Sequence, residues 1–175
     1  ADKWLICTFE PAAEAPAPVT ALMAGALSKM GAYGILKLAL PLAPDVAVAG
    51  ATTMAVLAVT SLLYGAVLAL REGDYKMLIA YSSLSHMGYV VLGLGVWSAV
   101  AGNQYNPYYW EMGMNGAMFQ MIAHGISSAG MFFLVGVVYD RVHHRNLNQF
   151  GGLFQKMPVY SGISIGIFFA ALGLP

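Results

Sequence analysis

The chain has 175 residues, 59% of them apolar and only 9% charged, where a soluble domain carries about a quarter charged residues. Eight Lys+Arg balance eight Asp+Glu; this excludes a basic nucleic-acid surface or an acidic tail, and so apolar a chain does not stay solvated as a disordered one. The lone cysteine, Cys7, excludes an intrachain disulfide framework and a multi-cysteine metal cluster, leaving an integral membrane protein or a piece of one.

Residues 1–17 read as a loop fragment, acidic and proline-rich and so unlike the basic start of a signal peptide. Glu10 and Glu14 flank its prolines in structural places. The first predicted helix, about 18–38, is apolar except for Lys29 and Lys37. The second, about 47–70, has no charge at all, and a short basic loop with Arg71 and Lys76 follows it. The third, about 77–98, is uncharged but carries His86. A loop from Ser98 to Met114 then holds Asn103, Tyr105, Tyr108, Tyr109 and Trp110, an interfacial aromatic cluster. The fourth helix, about 115–138, carries His124, and the loop after it contains Arg141, His143, His144, Arg145 and Lys156. A fifth apolar run, about 159–175, stops at Leu174-Pro175, where a helix is still crossing, so the chain looks incomplete. Each run approaches the ~20 residues a helix needs to span hydrocarbon. None shows the period-2 alternation of a barrel strand. The fold class is all-α integral membrane with about five transmembrane helices.

Basic residues set the orientation. Lys3, Arg71, Lys76, Arg141, Arg145 and Lys156 fall on one side of a five-span topology and Lys37 alone on the other. The positive-inside rule places the N-terminus and the two basic loops in the cytoplasm or its equivalent. Residues 1–17 are then a cytoplasmic-side loop and 18–175 a transmembrane region.

Three ionisable residues sit inside the spans: Lys29, His86 and His124. Each is roughly ten residues into its helix, which at ~1.5 Å per residue is near the bilayer midplane whichever way the helix runs. Such residues are costly there and are functional or paired by default. A row at one depth points to lateral proton movement. Lys29 is too deep to snorkel easily, unlike Lys37 near its span end. His86 follows Ser82 and Ser83 by one turn, and His124 has Gln120 at i−4 with Ser127 and Ser128 at i+3 and i+4. Hydroxyls and imidazole thus share a stripe able to hold water. Taken singly, each histidine reads equally well as a core residue bonded across helices. Lys76, Ser82, Ser83 and Ser128 stand beside the three as supporting residues. The His143-His144 pair reads as loop surface, the methionines as packing, and the glycines as helix contacts. No phosphate-cradling glycine pattern or Ser-His-Asp set is present. Two histidines on different helices can also ligate a haem, so a bis-His b-type cytochrome stays open, as does a purely structural anchor.

Glu14-Ala15-Pro16, Lys29-Met30-Gly31-Ala32-Tyr33-Gly34 and the long string from Asp74-Tyr75-Lys76 through Tyr81-Ser82-Ser83-Leu84-Ser85-His86-Met87-Gly88 resemble the antiporter-like subunits of respiratory complex I. Gln120 through Gly125, Tyr139 through His143, Gly151-Gly152-Leu153 and Met157-Pro158 continue the likeness. Ser128, where L-type subunits carry a lysine four residues after the histidine, makes the resemblance one to the M type, chain 4 in mitochondria. Residues 1–13 depart from the family pattern. The resemblance implies a fragment of a fourteen-helix subunit, ending at a helix broken near Gly173-Leu174-Pro175. It implies proton translocation coupled to quinone reduction elsewhere in an NADH:quinone oxidoreductase. Lys29, His86 and His124 would be the relay, and the family's key channel glutamate and lysine would lie outside this chain. It further implies no cofactor or metal bound here, with NADH, flavin and iron–sulfur clusters in partner subunits. Other membrane subunits and lipid would be the partners, nucleic acid would not, and the location would be a bacterial inner membrane. Membrane-bound hydrogenase subunits and cation/proton antiporters carry similar strings and stay as alternatives.

Overall fold

The computed structural model describes residues 14–101 and 107–173. The readings on Lys3, Cys7, Glu10, Asn103, Tyr105, Leu174 and Pro175 lie outside them. The described residues are mostly helical, joined by short loops and without a named strand among them. We label the helices α1 (Ala17–Leu42), α2 (Pro44–Arg71), α3 (Tyr75–Ala101), α4 (Pro107–Val142) and α5 (Pro158–Ala171). The first four are long and apolar enough to cross a membrane, and α5 is shorter. At 14 residues α5 is about 21 Å long. The fifth predicted span is therefore shorter than expected, because Gly173 adopts a left-handed backbone (φ 78°) just past its last turn, the usual way a helix is stopped.

Prolines set the other boundaries. Ala43 and Met157 precede Pro44 and Pro158 and sit at φ near −139°, outside the helical region, because a proline ring disfavours helix in the residue before it. The break between α1 and α2 is thus one residue wide, narrower than the predicted 39–46 gap. Pro41 does not end α1, although its ring would clash with a regular helical turn. The π-helical turn Ile35–Ala39 directly before it relaxes the ladder. The predicted Ser98–Met114 loop is also shortened. Pro107 starts α4 at the position where proline is best tolerated, so Tyr108, Tyr109 and Trp110 lie on its first turns, both tyrosines 60% exposed.

Helix α4 is the hub. It packs against α1, α3 and α5, while α2 packs on α3 and scarcely touches its sequence neighbour α1. The α2–α3 contact is made by small residues: a Cβ at Gly65 would come within 2.8 Å of the Ser85 backbone. That is the packing expected where lipid supplies no hydrophobic drive. Two apolar clusters occupy different depths. Ile79, Ala80, Met131, Phe132 and Val135 form one toward the α2–α3 loop, and Ala32, Val90, Leu94, Ala117 and Met121 form the other. Many outward side chains are apolar and exposed, such as Leu22 at 70% and Ile126 at 73%.

The two basic loops meet. The backbone N–H of Tyr75 donates to the Arg145 carbonyl (2.9 Å) and that of Leu147 to the Gly73 carbonyl (2.9 Å). Arg145 Nε lies 3.3 Å from Asp74 Oδ2. Asp74 also caps α3, its Oδ1 accepting from the Lys76 backbone N–H at 2.8 Å. The sequence-derived topology put these two loops on one side, and here they touch.

Candidate functional site: a buried lysine–histidine row

Counting along the helices places Lys29, His86 and His124 at one depth, and the structure brings them together laterally. Lys29 Nζ is 2.7 Å from His124 Nδ1. The His124 and His86 rings are 5.3 Å apart, centroid to centroid, tilted by 37°. Gln120 Nε2 closes the row 3.2 Å from His86 Nδ1. With the ammonium and the amide as donors, both Nδ1 atoms accept, and each neutral imidazole carries its proton on Nε2. His124 is buried, 3% exposed, and its Nε2 has no partner among the described residues.

Local backbone explains why Lys29 reaches across. Gly25 and Gly125 face each other where α1 crosses α4: a Cβ on Gly125 would stand 3.1 Å from the Gly25 carbonyl and 3.9 Å from Lys29 Cε. Two bare backbones close enough for a lysine to bridge need glycine on both sides. A π-helical turn, Met23–Leu27, lies directly before the segment carrying Lys29. Such turns are rare and recur at functional sites. The Ala24 carbonyl in that turn accepts from the Ser28 hydroxyl (2.9 Å) and from the Lys29 ammonium.

Beside the histidines lies a cavity of 640 Å³, bounded by His86, Gln120, His124 and Ser127 and, at the end of α5 and just past it, by Ala170 through Gly173. The stop of α5 at Gly173 therefore opens onto the histidine pair. Of the neighbouring hydroxyls, Ser127 lines this cavity. Ser128 is fully buried and its hydroxyl is directed to the Gly125 carbonyl at 3.5 Å. Ser82 donates to the Ile79 carbonyl of its own helix (2.8 Å), and Ser83 lines a different cavity. Lys76 is at the loop end, 4% exposed, donating to the Ala15 carbonyl. Lys37 is exposed near the opposite end of α1.

Gln120 and Ser127 were visible in the sequence only as part of a polar stripe. Which member of the stripe touches which histidine depends on helix rotation, which periodicity leaves open. The His143-His144 pair divides: His143 is exposed, whereas His144 is half-buried and stacks on Phe150 at 4.9 Å. The expectation of a surface pair is corrected for His144, because the loop folds back and gives that ring an aromatic partner.

Among the described residues no carboxylate belongs to the row. Glu14, Asp45, Glu72, Asp74, Glu111 and Asp140 all lie in loops or near helix ends. Two cations at the 5.3 Å spacing of the imidazoles would repel by about 3 kcal/mol at an effective dielectric of ~20. Two neighbouring cations are therefore disfavoured in the row, which has an apolar cluster on either side.

Residues 3–175 match the family described as NADH:quinone oxidoreductase/Mrp antiporter, TM. NADH-quinone oxidoreductase subunit M of Rhodobacter capsulatus is 40% identical over 174 residues, covering 98% of this chain and 32% of the relative. NAD(P)H-quinone oxidoreductase chain 4 2 of Microcystis aeruginosa is 40% identical over 162 residues, covering 93% of this chain and 27% of the relative. Among solved structures, a chain of respiratory complex I from Thermus thermophilus with bound NADH superposes with a TM-score of 0.79. It shares 31% identity and covers 91% of this chain and 32% of its own length. The chain spans about a third of the length of the relatives it matches.

Proposed function

Because the chain belongs to the NADH:quinone oxidoreductase/Mrp antiporter membrane family, and resembles its complex I antiporter-like subunits M and 4, we propose that it carries protons across part of an energy-transducing membrane. The observation that carries this reading is the contiguous, carboxylate-free row Lys29–His124–His86 in mid-span. The ammonium of Lys29 donates to His124 Nδ1. Moving that proton onto the imidazole leaves a neutral amine, and the imidazolium passes a proton on toward His86 and the cavity beside it. Repulsion between neighbouring cations makes each arriving proton displace the one before it. The driving force comes from quinone reduction elsewhere in the complex, with NADH, flavin and iron–sulfur clusters held by partner subunits.

The basic loops with Arg71, Lys76, Arg141, Arg145 and Lys156 face the cytoplasm by the positive-inside rule, in a bacterial inner membrane. The family also spans cation antiporters. Hard cations require several oxygen ligands, and the row offers nitrogen, so H⁺ is the favoured ion. A cytochrome role for the histidines fits poorly, since the Lys29 ammonium donating to His124 Nδ1 puts the ring proton on Nε2, the nitrogen left to face an iron.

The test is proton uptake by sealed membrane vesicles carrying the whole complex. Lys29→Ala is expected to lower uptake at least several-fold while native gels show normal assembly. Lys29→Arg is expected not to restore it, because arginine does not release its proton. Wild-type uptake in Lys29→Ala, with the complex intact, contradicts the reading.

A further inference from the structure

The row needs a supply, and two cavities not used above line up between it and the basic-loop end. The first, 530 Å³, is walled by Glu14, Ala15, Lys76, Tyr139, Asp140 and Arg145 among others. The second, 310 Å³, lies between α1, α3 and α4 and is bordered by Thr20, Ala24, Ser28, Ser83 and Phe132 among others. Thr20, 1% exposed, stands between them. Its hydroxyl reaches the carbonyls of Ala15 (3.4 Å) and Pro16 (3.3 Å), and Ala15 is the residue whose carbonyl accepts from Lys76. At the inner end, Ala24 and Ser28 border the second cavity, and the Ala24 carbonyl holds both the Ser28 hydroxyl and the Lys29 ammonium. Ser83 Oγ, midway, is buried with no partner among the described residues. A buried hydroxyl in that state is matched by water or an incoming donor in most proteins.

We propose that Lys29 takes up its proton from the basic-loop end through this path: the Glu14–Lys76–Asp140 cavity, past Thr20, and along the hydroxyls of Ser83 and Ser28 between α1 and α3. The proposal rests on the relay reading above and adds where the relay is loaded. The second cavity is mainly apolar, with three hydroxyls on a wall of methionine, leucine and phenylalanine side chains. A passage of that kind conducts when wetted and closes when it dries. The path runs through the apolar cluster of Ala80 and Phe132 on the loop side of the row; no corresponding hydroxyl file crosses the Val90–Leu94–Ala117 cluster among the described residues.

The experiment uses the complete complex in sealed vesicles. Thr20→Val with Ser83→Ala removes both hydroxyls at nearly constant volume and is expected to slow proton uptake several-fold, with the assembled complex unchanged on native gels. Wild-type uptake in this double variant, with Lys29→Ala defective, overturns the path and leaves the relay standing. Wild-type uptake in Lys29→Ala overturns the relay itself. A second readout does not depend on activity. In a Cys7→Ser background, Ser83→Cys is exposed to aminoethyl methanethiosulfonate from either side of the membrane. Faster labelling from the Lys76 side is expected. Equal labelling from both sides, faster labelling from the other side, or none, overturns the proposal.

Discussion

The described residues include two clusters of lysine, arginine and histidine, and they are built on opposite principles. At the loop end, Arg145 pairs with Asp74, Asp74 caps α3, and Lys76 donates to a fixed backbone carbonyl. In mid-span, Lys29, His124 and His86 touch one another with no carboxylate among them. The first cluster holds its charges in place and ties two loops together. Among the described residues the second row contains no counter-charge, and the proposed relay relies on that to let its positive charge move from one nitrogen to the next. Similar residue types thus form a latch where acids are present and, in the relay proposed above, a conductor where they are not.

Breaking the mid-span row should have the largest effect. Gly125→Val would drive a side chain into the Gly25 carbonyl, which stands 3.1 Å from an added Cβ. Overpacking of this kind costs roughly 1–3 kcal/mol. Separation of α1 from α4 is expected to abolish proton uptake, with a lower thermal midpoint of the complex as the accompanying sign. Smaller effects should follow along the row. His124 contacts Lys29 directly and His86 by its ring, so His124→Ala should reduce vesicle proton uptake more than His86→Ala. If the two act in series, the double variant should be little worse than His124→Ala alone, and a double loss well beyond the product of the two single losses would indicate parallel routes.

The latch should respond least. Asp74→Asn keeps an N-cap acceptor but loses the charge facing Arg145. Both side chains are about a third exposed, and screened pairs of this kind contribute ~0–1 kcal/mol. Asp74→Ala also loses the cap, for a further ~1 kcal/mol. Thermal unfolding of the complex should rank wild type, Asn and Ala in that order, with proton uptake unchanged in the Asn variant.

Much of this contrast is legible in the linear sequence. Uncharged runs mark the spans because hydrocarbon tolerates no free charge, and residue counting puts Lys29, His86 and His124 at one depth because helix rise is constant. Contact between them is less accessible to counting. It depends on α1 crossing α4 at Gly25 and Gly125, and on the π-helical turn before Lys29. Glycines one turn from, or adjacent to, a buried ionisable residue are the available signal. Hydroxyl assignments were the least legible. Ser127 and Ser128 differ by one position, about 100° of helix rotation, and only the first borders the histidine cavity. Helix ends depended on proline and glycine: Gly173 stops α5 early, and the π turn carries α1 through Pro41.

The most direct test of the central claim is to give the mid-span row the acid it lacks. Gln120→Glu sets a carboxylate where the amide now sits, 3.2 Å from His86 Nδ1, and Gln120→Met removes the amide without adding charge. Proton uptake by vesicles containing the assembled complex is measured for both. If mobility depends on the absence of a counter-charge, Gln120→Glu pins the proton on His86 and lowers uptake far more than Gln120→Met. Equal uptake in the two variants, or faster uptake with glutamate, would contradict it.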